Sequence, residues 1–462
     1  MGTILSCLRS TYTSVFSFFG TGQQDDVDLP KATHSVDSKI HGEPPFEIAI
    51  IGAGIGGLTF AIGCLKNNVS FVLYEAAPKF SLVGAGVGFG PNALRAMDMI
   101  DPKLRTMYGD ISSGNVTPNK LHVAMDALYT EEGFGTRRGW VPAPFGAECY
   151  ERTSAHRWDL LNILTSMIPR DRVRFNKRVK AMEQAEDGVT ITFEDGEVAQ
   201  ASAVVGTDGV KGPVRSYVLA ERYPSEVAAT YSGKYAYRAT IPMDDALKIL
   251  GSHAGDAKCF IGHNVNFMTY PISKGTQLNL VACKFSEDPW TYDQWTKTVT
   301  REEMVADFSD TVDRRLVKLL EWADPVQWAL HHHMNTPTYC NNRICLLGDS
   351  AHATTPHQAS GAGQCMEDAL ILSHLLGNVE NERELPLAFQ VYDVIRRPRA
   401  QRVVKTSQET GQIYSFTHPE LREDMAKIVE NLNKRFLWIW EHDLKGDLDR
   451  ADHMFRKLAS QT

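Results

Sequence analysis

Two glycine-rich turns are the stretches of this 462-residue chain whose residue types could hold a charged ligand. The first, Gly52-Ala53-Gly54-Ile55-Gly56-Gly57, is a G-x-G-x-x-G. It lies between the apolar run "FEIAII" (46–51) and a helical pattern through Leu58, Ala61, Ile62 and Leu65. In that setting the first glycine permits a tight turn, the second lets backbone approach a pyrophosphate, and the third lets helix and strand pack closely. The phosphates would then sit on the positive end of the helix dipole. Glu75 ends the next apolar run, "SFVLYE" (70–75), where a carboxylate can accept from ribose hydroxyls. The second turn, "GDSAHATTPHQASGAGQ" (348–364), follows Ile344-Cys345-Leu346-Leu347, breaks that strand on Gly-Asp and enters a helix through glycines. His331-His332-His333 has the residue type of a metal site without the geometry. Alternate side chains on a strand face opposite ways, so the three cannot converge on one ion and no metal is expected.

Holding such turns takes a wound α/β sheet, and the pieces are present. Residues 46–75 have the strand-helix-strand pattern of a dinucleotide-binding unit. Residues 155–168 read as an amphipathic helix, and "RVRFNKRV", "GVTITFEDG" and "ASAVVGTDG" as short strands. From 228 to 285 the chain turns aromatic and β-branched in "KYAYRATIP", "AKCFIGHNVNFMTYPI" and "TQLNLVACKF", the strands of a separate sheet. Helices are expected at 301–321, a strand at 343–347, and helices to the end, with Phe436-Leu437-Trp438-Ile439-Trp440 as helix packing. This order gives a leader and linker (1–45), a nucleotide-binding domain (46–225 and 335–400), an inserted sheet domain (226–334) and C-terminal helices (401–462). A long ligand lying across one domain can be held at one end by the first turn and at the other by the last.

Taken with the first turn, "VVGTDGVKGPVR" (204–215) and "LLGDSAHATTPHQASGAGQ" (346–364) resemble the three fingerprints of the flavin-dependent aromatic hydroxylases. The resemblance spans about residues 46–400. Within that family the chain is most similar to the salicylate hydroxylase branch and to fungal polyketide-tailoring 3-methylorcinaldehyde hydroxylases. It implies an α/β fold: a Rossmann-like FAD-binding domain of the GR2 type, an inserted mainly β substrate domain, and C-terminal helices. It also implies FAD as cofactor, NADPH or NADH as co-substrate, and Gly52, Gly54, Gly57, Glu75, Gly88, Arg157, Asp208, Asp349, Gly361 and Ala362 as cofactor-binding residues. Asp349 at a strand end suits a ribityl hydroxyl, and a helix opening at Gly361-Ala362-Gly363 can face the flavin ring with its amides and dipole. The chain departs from the family pattern twice. Gly212 stands where the family has Ser, and Ala359 stands where Gly is expected, which matters if that position needs a positive φ.

In the orcinaldehyde branch an arginine and a tyrosine match Arg238 of "KYAYRATIP" and Tyr270 of "NFMTYPI", taken to lie on neighbouring strands, and the resemblance makes them the catalytic pair. Reduced flavin and O2 would give a C4a-hydroperoxide with an electrophilic distal oxygen. A guanidinium beside a phenolic oxygen lowers the phenol pKa and so prepares the nucleophile, while a tyrosine can hydrogen-bond the same oxygen. The expected reaction is hydroxylation of a phenolic ring, decarboxylating if the attacked carbon bears a carboxylate. A dearomatising hydroxylase of an alkylated phenol and an alkene epoxidase of the same fold are the alternatives.

The net charge of −8 and pI near 6.0 exclude a phosphate-backbone binder with a clustered basic face. Eight cysteines without a repeated spacing indicate neither a disulfide framework nor a zinc module. "MGTILSCLRSTYTSVFSFFG" is too interrupted for a membrane span. It does match a myristoylation motif at Gly2 with Ser6, and Cys7 could take a second acyl chain. The expected location is cytoplasmic, with membrane association through that N-terminus.

Overall fold

Three short runs, Glu47–Ile51, Ala203–Gly206 and Ile344–Leu346, lie side by side as parallel strands, and nearly every residue in them is buried. Helices cover both faces of such a sheet, which is why its strands are apolar without alternation. Ser70–Tyr74 extends the sheet on one side, followed by Val173–Arg174, and Cys340–Asn341 closes the other. The computed structural model describes residues 46–80, 86–292, 294–308 and 312–461. Gly2, Ser6 and Cys7 lie outside them. Among the described residues no helix is long and apolar enough to cross a membrane.

The helices that leave the two glycine turns, Ile55–Lys66 and Gly361–Gly377, pack against each other and run in the same direction. Gly56 meets Cys365, Thr59 meets Met366, and Gly63 meets Ser373 so closely that a Cβ would lie 2.4 Å from its hydroxyl. Both helices therefore begin at the same edge of the sheet, beyond the carboxyl ends of the parallel strands. Two positive helix ends converge there from opposite ends of the sequence.

A second sheet of eight strands runs in the order Thr296–Thr298, Val326–His332, Thr230–Pro242, Gln277–Phe285, Val265–Ile272, Lys258–Gly262, Val123–Tyr129 and Ala143–Gly146. Period-two alternation splits its faces. Tyr235, Tyr237, Ala239 and Ile241 join a core roofed by the short helices Met243–Leu250, Arg301–Ala306 and Arg314–Leu319. Met268 and Tyr270 pack on the other side with Tyr414 and Phe436.

Three expectations are corrected here. The sheet takes in 123–129 and 143–146, so its edge is not at residue 226: Val123–Tyr129 pairs in parallel with Lys258–Gly262 and is recruited from the earlier segment. The helix Leu385–Tyr414 runs unbroken through the expected boundary at 400/401, although Pro398 lies within it. Arg238 and Tyr270 are not on neighbouring strands. Gln277–Phe285 separates them, with Arg238 opposite Val281 and Tyr270 opposite Asn279, because the hairpin 265–285 folds back before it joins Thr230–Pro242.

Candidate active site

The first turn has the shape its glycines predict. Gly52 has φ +108°, and a Cβ there would sit 2.7 Å from the Thr207 carbonyl. At Gly57 a Cβ would lie 2.0 Å from the Gly52 carbonyl, so helix and turn close only on a glycine. At Gly54 nothing lies within 4 Å of that position, and no side chain caps the helix. The first-turn amides face open space. Glu75 braces the loop: its two oxygens accept from the Ala53 and Ala77 amides, each at 2.8 Å. These residues fit a dinucleotide pyrophosphate and ribose.

Asp349 opens to the cleft just beyond Ile344–Leu346, yet protein surrounds it closely enough that desolvation raises its carboxyl pKa. Arg157, the first residue of the helix Arg157–Ser166, is coupled to that carboxylate and to Arg238, and burial lowers its own pKa. Gly361 and Ala362 begin the second helix, and Gly88 ends the strand Gly86–Gly88 in the wall of the neighbouring cavity. Asp208 turns away from these groups. Its carboxylate accepts from the Val214 amide (2.9 Å) and the Ser350 hydroxyl (2.8 Å), and burial pushes its pKa up to about 6. The missing serine at 212 is explained here, since a Cβ on Gly212 would fall 1.9 Å from the Asp208 carboxyl carbon.

Beside the second turn lies an aromatic cavity bounded by Phe145, Tyr150, Met268, Phe436 and Trp440 on one side and by Pro356 to Ser360 on the other. Phe436 and Trp440 thus pack as expected and also line the cavity. His357 is 4 % exposed, and neither ring nitrogen has a partner. Burial, then Lys234 and His332, hold its pKa well below the usual value, so the ring is neutral. Lys234 itself is buried and brought down to about 8. Arg238 is exposed on its strand, its guanidinium 5.7 Å from the Trp328 ring centre. Tyr270 is half-buried against Gly86 and Asn279, with the Arg152 guanidinium 4.7 Å over its ring. Burial raises the Tyr270 phenol pKa, opposed first by Arg152 and then by Arg238. The two expected catalytic residues therefore share a sheet face two strands apart and two residues out of register, with Cα atoms roughly 12 Å apart.

Sequence reasoning missed Arg152, His357 and Lys234. His357 lay inside a motif already read for its glycines, whereas Arg152 and Lys234 carry no spacing signal. It also missed the ion network under the second helix. There Arg396 and Arg399 bind Glu367 and Asp368, His352 meets Asp368 at 2.5 Å, and Asn92 donates to Glu367 at 2.6 Å.

Comparison with known proteins agrees with this geometry. Residues 46–407 match the family model described as "FAD binding domain". A FAD-dependent monooxygenase of Gibberella moniliformis is 41 % identical over 88 % of this chain and 96 % of its own length. A salicylate hydroxylase of Pseudomonas putida is 35 % identical over 88 % and 94 % of the two chains. The 6-methylsalicylate 1-monooxygenase of Aspergillus terreus is 34 % identical over 90 % and 93 %. Among solved structures, a salicylate hydroxylase substrate complex superposes with a TM-score of 0.78 at 29 % identity, covering 88 % of this chain and 98 % of that one. By sequence and by fold this chain therefore belongs to the FAD-dependent monooxygenases of the salicylate hydroxylase-like kind.

Proposed function

We propose that the protein hydroxylates a phenolic ring at the expense of NAD(P)H and O2, with Arg238 and Tyr270 acting on the phenol. The observation that supports this most is an aromatic cavity with a cationic wall set directly beside the converged helix ends. FAD, reduced by NAD(P)H and met by O2, supplies an electrophilic oxygen when bound.

The chain's own residues prepare the nucleophile. The turn at 52–57, Glu75 and Asp349 would hold the cofactor's pyrophosphate and hydroxyls. The Arg238 guanidinium would favour the phenolate, which attacks an electrophilic oxygen far better than the neutral phenol does. Tyr270, its phenol kept protonated by burial, can donate a hydrogen bond to a substrate oxygen but cannot serve as a base at neutral pH. His357, neutral with an unpartnered ring in the cavity wall, can accept a hydrogen bond from the phenolic hydroxyl but is too weak a base to hold its proton. What the attacked carbon carries sets the outcome: hydrogen gives simple hydroxylation, a carboxylate gives loss of CO2, and an alkyl group leaves a dearomatised ring. The similarity to salicylate and 6-methylsalicylate enzymes supports a phenol as the substrate ring, and a polyketide phenol suits the resemblance.

The test is turnover of the FAD-loaded protein with NADPH in air, offering salicylate, orsellinate and 3-methylorcinaldehyde and reading product mass beside NADPH oxidation. Arg238→Ala should keep its flavin and lose about 100-fold or more in kcat. Normal turnover by that variant would remove Arg238 from the mechanism.

A further inference from the structure

We propose that Arg152 binds an anionic substituent of the substrate, a carboxylate on the ring, and so makes the enzyme prefer aromatic acids to neutral phenols. This rests on the phenol-hydroxylase reading and adds to it a recognition residue.

The argument starts from unmet hydrogen bonds. Five arginines are nearly fully buried in the described residues: Arg152, Arg215, Arg343, Arg396 and Arg399. Four of them are well supplied. Arg396 and Arg399 face Glu367 and Asp368. Arg215 donates to four carbonyls and to Thr336, and Arg343 to three carbonyls. Arg152, 6 % exposed, makes one long bond, Nη1 to the Ala124 carbonyl at 3.3 Å, and its buried Nε has no partner. No acidic side chain pairs with it among the described residues. Below it lies the Tyr270 ring, which orients a guanidinium without accepting its hydrogen bonds strongly.

A buried cation without a counter-charge is costly, and the cost is relieved when an anion arrives. Arg152 lines the aromatic cavity, and among the described residues no other lining residue carries a formal charge of either sign when His357 is neutral. Tyr150 and Trp440, with ring centres 4.5 Å apart, and Met268 give the same space flat apolar walls. An aromatic ring bearing a carboxylate matches both features: the ring meets the walls, and the carboxylate takes the planar fork of the guanidinium.

A matched pair of ligands tests this: 2,4-dihydroxy-6-methylbenzoate and 2,4-dihydroxy-6-methylbenzaldehyde, which differ only in the carboxylate. Each is titrated into the oxidised, FAD-loaded protein without NADPH, and binding is read from flavin absorbance and tryptophan fluorescence. Wild type should prefer the acid. Arg152→Met should weaken acid binding about 10- to 100-fold, the range of a charge-assisted pair, and change aldehyde binding by less than about threefold. Arg152→Lys should recover part of the acid preference. Unchanged flavin content and Tm establish that the variants fold.

Equal weakening of both ligands would mean that Arg152 holds the phenolic oxygen, and would overturn the proposal. So would an acid preference that survives in Arg152→Met, or a wild type that binds the aldehyde as well as the acid or binds neither. NADPH oxidation by the wild type is scored separately. If ligand binding follows the expected pattern but neither compound stimulates oxidation, the hydroxylase reading fails while Arg152 stands as an anion-binding residue.

Discussion

Ala359 has φ +48° and ψ +32°, the left-handed region, at the end of the short turn Pro356–Gln358. A Cβ in that region costs about 1–2 kcal/mol. The departure from glycine noted in the sequence is therefore a strained residue in the cavity wall. Ala359→Gly should relieve that strain and give back part of it through the greater freedom of glycine in the unfolded chain. The expected net gain is about 0.5–1 kcal/mol, seen as a Tm rise of about 0.5–1 °C. A fall in Tm would show that neighbouring packing needs the methyl group. Gly212 is the opposite case. There the departure from Ser removes a clash and lets Asp208 cap the next helix.

At the scale of elements, the helix Gly361–Gly377 owes its position to charges that no apolar pattern would suggest. Arg396, on the helix Leu385–Tyr414, is fully buried and joins Glu367 (2.6 Å) to Asp368 (2.8 Å). Arg399 adds a second bridge and donates to the carbonyls of Trp438 and Ile439, so one network fixes both the second glycine turn and the aromatic wall of the cavity. Arg396→Met keeps much of the volume but leaves two buried carboxylates short of charge. The expected loss is about 3–5 kcal/mol, measured as a lower denaturant midpoint, together with weaker FAD retention. A midpoint within about 1 kcal/mol of wild type would mean that Arg399 and His352 suffice.

For the whole molecule, buried histidines set the response to acid. His332 is pushed down to about 4 and His333 to about 3, in each case chiefly by burial, and His357 is also well below the usual 6.5. Below pH 6.5 the unfolded chain binds protons that the fold refuses. The stabilisation is therefore complete above that pH and is lost as pH falls toward 4, with His332 alone accounting for on the order of 3 kcal/mol. Asp208 works in the other direction. Its pKa near 6 lets the fold take up a proton before the unfolded chain does, so its share improves as pH drops from about 6 to 3.8. Three histidines outweigh the two raised carboxyls, Asp208 and Asp349, and the unfolding midpoint should fall steadily from pH 7 to 4.5. A flat midpoint over that interval would show that these rings are protonated within the fold.

The sequence by itself determined the local parts of this protein. Glycines at 52, 54 and 57 specify the turn because a Cβ collides at two of those positions and would add bulk at the edge of the open cleft at the third. Apolar runs without alternation specify strands buried on both faces. Such features depend on the backbone within a few residues and are legible one window at a time. Tertiary structure decided what distant segments do together. The order of strands put Gln277–Phe285 between Arg238 and Tyr270, brought two helix ends about 300 residues apart to one edge, and closed Arg152 into a cavity without an acidic partner among the described residues. Arg152 reads in the sequence as an ordinary polar residue between Glu151 and Thr153. It becomes informative only when the chain removes water from it, because an unpaired charge has a cost only where solvent cannot reach.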